Sequence, residues 1–150
     1  MVGPVARGED RHVVRDGLTH LGRAVHAIGR LADAVDYHQQ SLAVYRETGE
    51  RSYELEAINA LAAAQSAGGD LDAAQTTYMT AVGLAERTGD RREQAAAHDG
   101  LAAVHQAAGD ADRAERHRLA AHTIYTDLGL PDAGRLAVQG GHRLHGCSGT

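Results

Sequence analysis

Apolar residues recur at helical spacing from Arg11 onward. The first run places them three or four positions apart: Val14, Leu18, Leu21, Val25 and Ile28. This spacing predicts one face of an α-helix that begins at Arg11 and ends at Gly29, because Gly readily adopts the left-handed conformation that closes a helix. A second helix is predicted from Leu31 to about Glu47, with Gly49 as its end.

The same pattern is written three times with a period of 40 residues. Residues 29–34, 69–74 and 109–114 align with one another, and a second helical pattern follows each of them. A fixed period of this size is typical of a solenoid, in which each unit buries its apolar face by stacking on a neighbour. We therefore predict an all-α chain of six helices, paired as three antiparallel hairpins.

The period also sets the boundaries of the predicted domain, residues 11–139. Asp70 and Asp110 are well placed as N-caps, and Asp90 followed by Glu93 resembles a capping box. Pro131 is favourable at the first position of a short final helix. The predicted segments are a disordered N-terminus (1–10), three repeat units (about 11–49, 50–89 and 90–129), a capping helix (131–139) and a disordered tail (140–150).

Composition narrows the possible chemistry. Phe and Trp are absent, Ala dominates the 43% of hydrophobic residues, and the net charge of −5 comes from interleaved charges of both signs. Small apolar residues indicate helices that approach closely, and the charge pattern argues against a nucleic-acid surface. All 15 basic residues are Arg, which excludes the Lys-dependent chemistry of a Walker A phosphate loop or a Schiff base.

Location and catalysis are constrained by what the chain lacks. Cys147 is the single cysteine and suits a reducing compartment. The sequence has no apolar run of about 18 residues, and residues 1–5 lack the regions of a secretory signal, so we expect a cytoplasmic protein without membrane contact. Because no nucleophile elbow, zinc-binding helix motif or dinucleotide loop occurs, we expect neither enzymatic activity nor a cofactor.

The repeat resembles the tetratricopeptide repeat, a helical hairpin with small residues where its helices cross. The matching positions are a Leu and a small residue in the first helix, the turn Gly, and a small residue in the second helix: Leu21, Gly22, Gly29 and Ala34; Leu61, Ala62, Gly69 and Ala74; Leu101, Ala102, Gly109 and Ala114. The resemblance implies a right-handed α-solenoid that binds proteins.

Two departures from the family pattern are the unit length of 40 residues, against about 34 in the family, and the lack of Pro at the end of units one and two. The longer unit is similar to the C-terminal arrays of actinobacterial transcriptional regulators of the antibiotic-regulatory type. This similarity implies a role in a regulatory or signalling complex.

In the resembling family, one face of each unit's first helix lines a concave groove for a peptide or helix of a partner. Projected onto this chain, its polar residues are Thr19, Arg23 and His26, then Glu56, Asn59 and Ser66, then Asp99 and Gln106, with Ala63 and Ala103 on its floor. One Arg and one Asn among several acids do not form a clamp for a peptide's C-terminal carboxylate. Asn59 is the residue expected to bond a partner's backbone.

The ten His residues offer a second candidate chemistry. His98 and His105 lie seven positions apart on one predicted helical face, and His122 belongs to the paired helix, so three imidazoles could converge on a metal ion such as zinc. The sequence favours instead polar residues tolerated in a last unit on which little stacks. A further alternative is a pH-responsive packing site, whose burial would make stability fall as pH drops through about 6.5.

These observations predict a non-catalytic protein-interaction module. A structural alternative is self-association, because both solenoid ends are incompletely capped and an end-to-end homodimer would hide apolar surface. A metal or pH sensor built on the histidines of unit three is the third hypothesis.

Overall fold

The computed structural model describes residues 8–130, which form six α-helices and no β-strand. In chain order they are α1 (Gly8–Ala27), α2 (Leu31–Thr48), α3 (Arg51–Ala67), α4 (Leu71–Thr88), α5 (Arg91–Ala107) and α6 (Ala111–Asp127). The pairs α1–α2, α3–α4 and α5–α6 make the predicted hairpins, which we call units one, two and three. The predicted all-α architecture is confirmed for this part of the chain.

Each of the six described helices is followed within two residues by a Gly in the left-handed region. Six glycines, spaced by 20 residues from Gly29 to Gly129, have φ between 69° and 87°. After each of them the backbone N–H of the next residue donates to a carbonyl five positions back, as Arg30 does to Val25 at 2.8 Å and Glu50 to Tyr45 at 3.1 Å. This closure satisfies the last carbonyls of the helix and reverses the chain, so it sets the length of every unit.

Three helices begin at the aspartates predicted to cap them. The carboxylates of Asp70, Asp90 and Asp110 each accept a hydrogen bond from the N–H three residues on. The reciprocal half of the predicted capping box is not formed, because the Asp90 N–H donates to the carbonyl of Ala85 and the Glu93 carboxylate accepts instead from Asn59. That side chain therefore joins two units rather than closing one helix.

Successive helices pack side by side, and α3 also contacts α1 and α5 directly. The small residues predicted at the crossings are buried there: Gly22, Ala34, Ala62, Ala74, Ala102 and Ala114. The largest fully buried apolar side chains are Leu55, Ile58 and Leu101, which belong to one core cluster built from α2, α3, α4 and α5. Because each unit contacts only its neighbours, the array is a solenoid of helical hairpins.

The ends of the array differ from its middle. Leu61 and Leu101 are 6% and 0% exposed, whereas Leu21 at the equivalent position of unit one is 47% exposed because residues 8–130 contain no unit before it. At the other end Leu119 and Leu128 of unit three are exposed. The predicted capping helix (131–139) and disordered tail (140–150) lie outside the described residues.

The first helix begins earlier than the sequence predicts. Residues 8–10, assigned above to a disordered terminus, belong to α1. They contain no apolar residue, so hydrophobic spacing gives no sign of this first turn. Within residues 8–130 no helix is long and apolar enough to cross a membrane.

Candidate functional site

The first helices of the units, α1, α3 and α5, carry the predicted groove residues on what we call the inner face. Arg23 of α1 and Glu56 of α3 form an ion pair across this face, with Nη2 and Oε2 3.8 Å apart. Both side chains remain about half exposed, at 58% and 48%. Two predicted groove residues from successive units are thus neighbours, and both stay accessible to a ligand.

Asn59 of α3 connects units two and three on the same face. Its side-chain amide donates to the backbone carbonyl of Glu93 at 3.2 Å and to the Glu93 Oε2 at 2.8 Å. Burial raises the pKa of Glu93, an effect that the hydrogen bond from Asn59 opposes and the nearby charges of Glu56 and Asp90 reinforce. The structure therefore gives Asn59 an internal role that the sequence did not predict.

The acceptor side of the same amide is unused. Asn59 Oδ1 is buried and accepts no hydrogen bond from the residues that the structure describes. A buried amide oxygen without a donor costs free energy, so a donor that reaches it would stabilise the structure. The prediction that Asn59 bonds a partner's backbone remains a prediction, and the geometry restricts it to this oxygen.

The inner face between units one and two is filled. Thr19 Oγ1 lies 2.8 Å from the Tyr45 hydroxyl, and the Tyr45 ring stacks on Tyr53 with centroids 5.6 Å apart. The cavity beside them, which Arg23 and Glu56 also line, holds only about 10 Å³. That is room for roughly one water. A ligand at this position would lie on the surface rather than in a pocket.

The other predicted groove residues occupy the same three helices. His26, Ser66 and Asp99 are half-buried, and Gln106 is exposed. Burial lowers the pKa of His38, and the nearby charges of His26 and Arg23 lower it further.

Three histidines of unit three form a row. His98 Nδ1 and His117 Nδ1 are 3.0 Å apart, and the centroids of these two rings are separated by 5.3 Å. The rings of His117 and His105 are parallel, and their centroids are also 5.3 Å apart. An N–H···N hydrogen bond needs one nitrogen as donor and the other as acceptor. At least one of these two imidazoles must therefore be neutral.

Burial favours the neutral forms of His98 and His117. Burial lowers the pKa of His98, and the negative charge of Glu86 partly opposes this shift. Burial also lowers the pKa of His117, and His98, His105 and Arg116 lower it further through their charges. Protonation of both His98 and His117 would bring two cations together in a half-buried site.

The α6 side chain in this row is His117, not the predicted His122. The sequence placed His122 by analogy with Leu42 and Val82, whereas Tyr37 and Thr77, the equivalents of His117, gave no sign of an inward side chain. Within residues 8–130 no three His, Cys, Asp or Glu side chains are arranged to hold a metal ion. The histidines stack and hydrogen-bond instead of converging, so the metal hypothesis loses its geometric basis.

The Gly turns, the hairpin order and the small crossing residues define the class of the molecule as an α-solenoid of helical repeats. Residues 14–87 match the sequence model of the family described as Tetratricopeptide repeat, and this segment therefore consists of tetratricopeptide repeats. Repeats of this family generally mediate protein–protein interactions and are typically non-catalytic. No curated protein matches the sequence significantly.

Proposed function

We propose that this chain is a non-catalytic interaction module that binds a peptide or helix of a partner protein on its inner face. The observation that supports the proposal most is the alignment of α1, α3 and α5, whose polar residues meet across unit boundaries as Arg23–Glu56 and Asn59–Glu93. A ligand laid over these helices contacts all three units at once. The half-exposed Arg23–Glu56 ion pair supplies polar contacts for it.

The test blocks the inner face without removing an internal contact. Ala103 is an exposed residue of α5 at a predicted groove position, and Ala32 is an exposed residue of α2. Ala103→Arg and Ala32→Arg add the same side chain at two different faces. Affinity-purified partners are identified by mass spectrometry with the wild-type chain and both variants as bait. We expect Ala103→Arg to lose partners that Ala32→Arg retains, and equal retention would contradict the proposal.

The cellular setting follows from the resemblance in unit length. Arrays with similar long repeats belong to actinobacterial transcriptional regulators, which supports placing this module in a cytoplasmic regulatory or signalling complex. The proposal includes no direct contact with nucleic acid, since the net charge is −5.

Self-association is the second candidate function, and the exposed end of unit one supports it. Leu21 is 47% exposed where its equivalents are buried, and Val13 and Ile28 of the same helix and its following turn are 73% and 70% exposed. A second copy would cover this surface as the preceding unit covers the equivalent residues in the interior. Light scattering after size exclusion gives the mass directly. A dimer that Leu21→Glu converts to a monomer would support this candidate, and a monomeric wild type would exclude it.

A pH-responsive role is the third candidate, supported by the hydrogen bond between His98 and His117. Its measurable consequence is a melting temperature that falls as the pH drops below about 6.5.

A further inference from the structure

A groove on the opposite side of the array lies between α2 and α4 and has α3 as its floor. It consists of two cavities of about 290 and 370 Å³, which share Arg46, Ile58 and Thr80 in their lining and are therefore adjacent. We call it the outer groove. Its combined size is that of an ordinary ligand site.

The two halves of the outer groove differ in chemistry. The floor of the first is apolar, with Leu42, Ile58 and Leu61, and threonines form its α4 wall. The second half ends among Arg46, Arg51 and Arg87. The groove thus offers an apolar floor next to a cluster of guanidinium groups.

A buried carboxylate organises the basic end. Glu54 is 7% exposed and accepts from Arg46 Nε at 3.3 Å and from Arg51 Nη1 at 2.7 Å. Each of these arginines stays more than half exposed, and Arg87 makes no ion pair with any residue in 8–130. Two guanidinium groups therefore share one buried carboxylate, which holds them in place, and together with Arg87 they leave unused donors for a second anion.

This charge arrangement is not a requirement of the repeat. Forty positions on, Arg46, Glu54 and Arg87 are replaced by Glu86, Gln94 and Asp127. Of the three arginines, Arg51 alone has a basic equivalent, which is Arg91. Arg91 forms an ion pair with Asp127, with Nη2 and Oδ2 3.5 Å apart. The corresponding surface between α4 and α6 thus has the opposite charge, so the basic end belongs to one groove alone.

The threonine wall favours a peptide over a simple anion. The hydroxyls of Thr76 and Thr80 donate to carbonyls of their own helix at 3.2 and 3.0 Å, and Thr77 donates to Ala73 O or to Gln65 Oε1. A hydroxyl has one hydrogen to donate, so only lone pairs remain for a ligand. Acceptors in a row along an open groove match the backbone N–H groups of an extended chain.

We propose that the outer groove binds an extended segment of a partner protein in which an acidic side chain adjoins apolar ones. The carboxylate enters between Arg46, Arg51 and Arg87 and provides most of the recognition. The apolar side chains lie over the small area that the floor leaves open, since Leu42, Ile58 and Leu61 are 6%, 1% and 6% exposed. This site is separate from the inner face and does not depend on the function proposed above.

The probe is a fluorescein-labelled, acetylated and amidated peptide of alternating Leu and Glu, with a second peptide in which Gln replaces Glu. Binding to the full chain is measured by fluorescence anisotropy, and ¹⁵N chemical shifts of the chain locate it. We expect shifts at Thr76, Thr80 and Arg87, and binding of the Gln peptide weaker by about tenfold or more. Shifts confined to α1, α3 and α5 on the inner face would overturn the outer-groove proposal.

Arg87→Gln removes a guanidinium that has no internal partner in residues 8–130, so its effect on folding is small, and circular dichroism checks this. It is expected to raise Kd about five- to tenfold. Arg92→Gln makes the same change of net charge at an exposed site of α5 and is expected to leave Kd within about twofold. Equal weakening by both variants, or displacement of the peptide by millimolar inorganic phosphate, would overturn the proposal in favour of nonspecific or simple anion binding.

Discussion

Units two and three have the same backbone plan and fill it with different side chains. Ile58, Gln65 and Thr77 of unit two correspond to His98, His105 and His117 of unit three. In unit two these positions carry one aliphatic core residue and a Gln–Thr hydrogen bond, whereas in unit three they carry the histidine row. The comparison shows that the period specifies where helices turn and cross, while the chemistry of the layer between them varies from unit to unit.

The junctions between units differ in the same way. At the first junction His38 and Ala60 line one small cavity. At the second, Tyr78 takes the position of His38 and Gly100 that of Ala60, and a Cβ on Gly100 would lie 2.1 Å from the Tyr78 ring. The larger ring is accommodated by the smaller partner. Burial of Tyr78 raises its pKa to about 12.

The largest expected effect comes from making the second junction resemble the first. Gly100→Ala places a methyl group on a ring that is only 6% exposed and has little room to move. We expect a loss of about 1–3 kcal/mol in the free energy of unfolding, after any gain in helix propensity. Urea denaturation followed by circular dichroism measures it.

Two further variants make this test specific. Gly83→Ala is the matched control, because a Cβ there meets only the Arg87 guanidinium at 3.5 Å, and it is expected to be neutral or slightly stabilising. Tyr78→His combined with Gly100→Ala reproduces the first junction and should recover part of the loss. A Gly100→Ala variant as stable as Gly83→Ala would contradict the size match.

The next effect concerns pH. Burial lowers the folded-state pKa of His98 and of His117, so the unfolded chain binds more protons than the folded one at mildly acidic pH. The contribution of these neutral rings is complete above the unfolded pKa of about 6.5 and is lost as pH falls below it. We expect the melting temperature to drop by about 3 °C or more between pH 7.5 and 5.5.

The matched variant replaces two histidines of the row by the residues that unit two carries at the same positions. His98→Ile with His117→Thr is expected to reduce the pH dependence of the melting temperature, leaving the part due to His38, whose pKa is also lowered by burial. The neighbours Glu86, Arg116 and His105 stay unchanged in this variant. The same slope in the variant and the wild type would remove the row as its source.

A smaller effect on the free energy of unfolding is expected at Glu93, which joins units two and three through its hydrogen bond with Asn59. Because burial raises the pKa of Glu93, ionisation of this carboxylate makes the folded state less stable as pH rises through the folded pKa. Glu93→Gln keeps an acceptor for Asn59 and removes the charge, so we expect a gain below about 1 kcal/mol at pH 7 that disappears in acid. Exposed Glu115→Gln is the control. A clear loss at pH 7 would show that the ionised form is needed.

The smallest effect is expected at the first junction. Arg23 and Glu56 are half exposed and 3.8 Å apart, so solvent screens their attraction. A double-mutant cycle with Arg23→Ala and Glu56→Ala should give a coupling below about 0.5 kcal/mol. A coupling above about 1 kcal/mol would show instead that this pair joins units one and two, as Asn59 joins units two and three.

The features that the sequence predicts best are those with local physical causes. The left-handed glycines and the Asp70, Asp90 and Asp110 caps follow from backbone geometry within a few residues, and the structure confirms them. Side-chain partners between units were not predictable in the same way. Glu93 was assigned to its own helix terminus, yet its carboxylate accepts from a residue 34 positions away.

The candidate sites show the same limit. His117 was missed because its equivalents Tyr37 and Thr77 gave no sign of an inward side chain. The outer groove was not predicted, because the resemblance places the ligand on the first helix of each unit. Its signal was present in the aligned units, where Arg46 and Arg87 change sign after forty positions.

The match between Tyr78 and Gly100 also restricts how such an array can change in length. A second copy of residues 50–89 inserted in tandem would bring Tyr78 against an alanine at the position of Ala60, where the ring has no room. Deleting those residues would instead bring His38 against Gly100, which leaves space rather than a collision. Gene rearrangements that shorten this chain by one hairpin are therefore expected to be better tolerated than those that lengthen it.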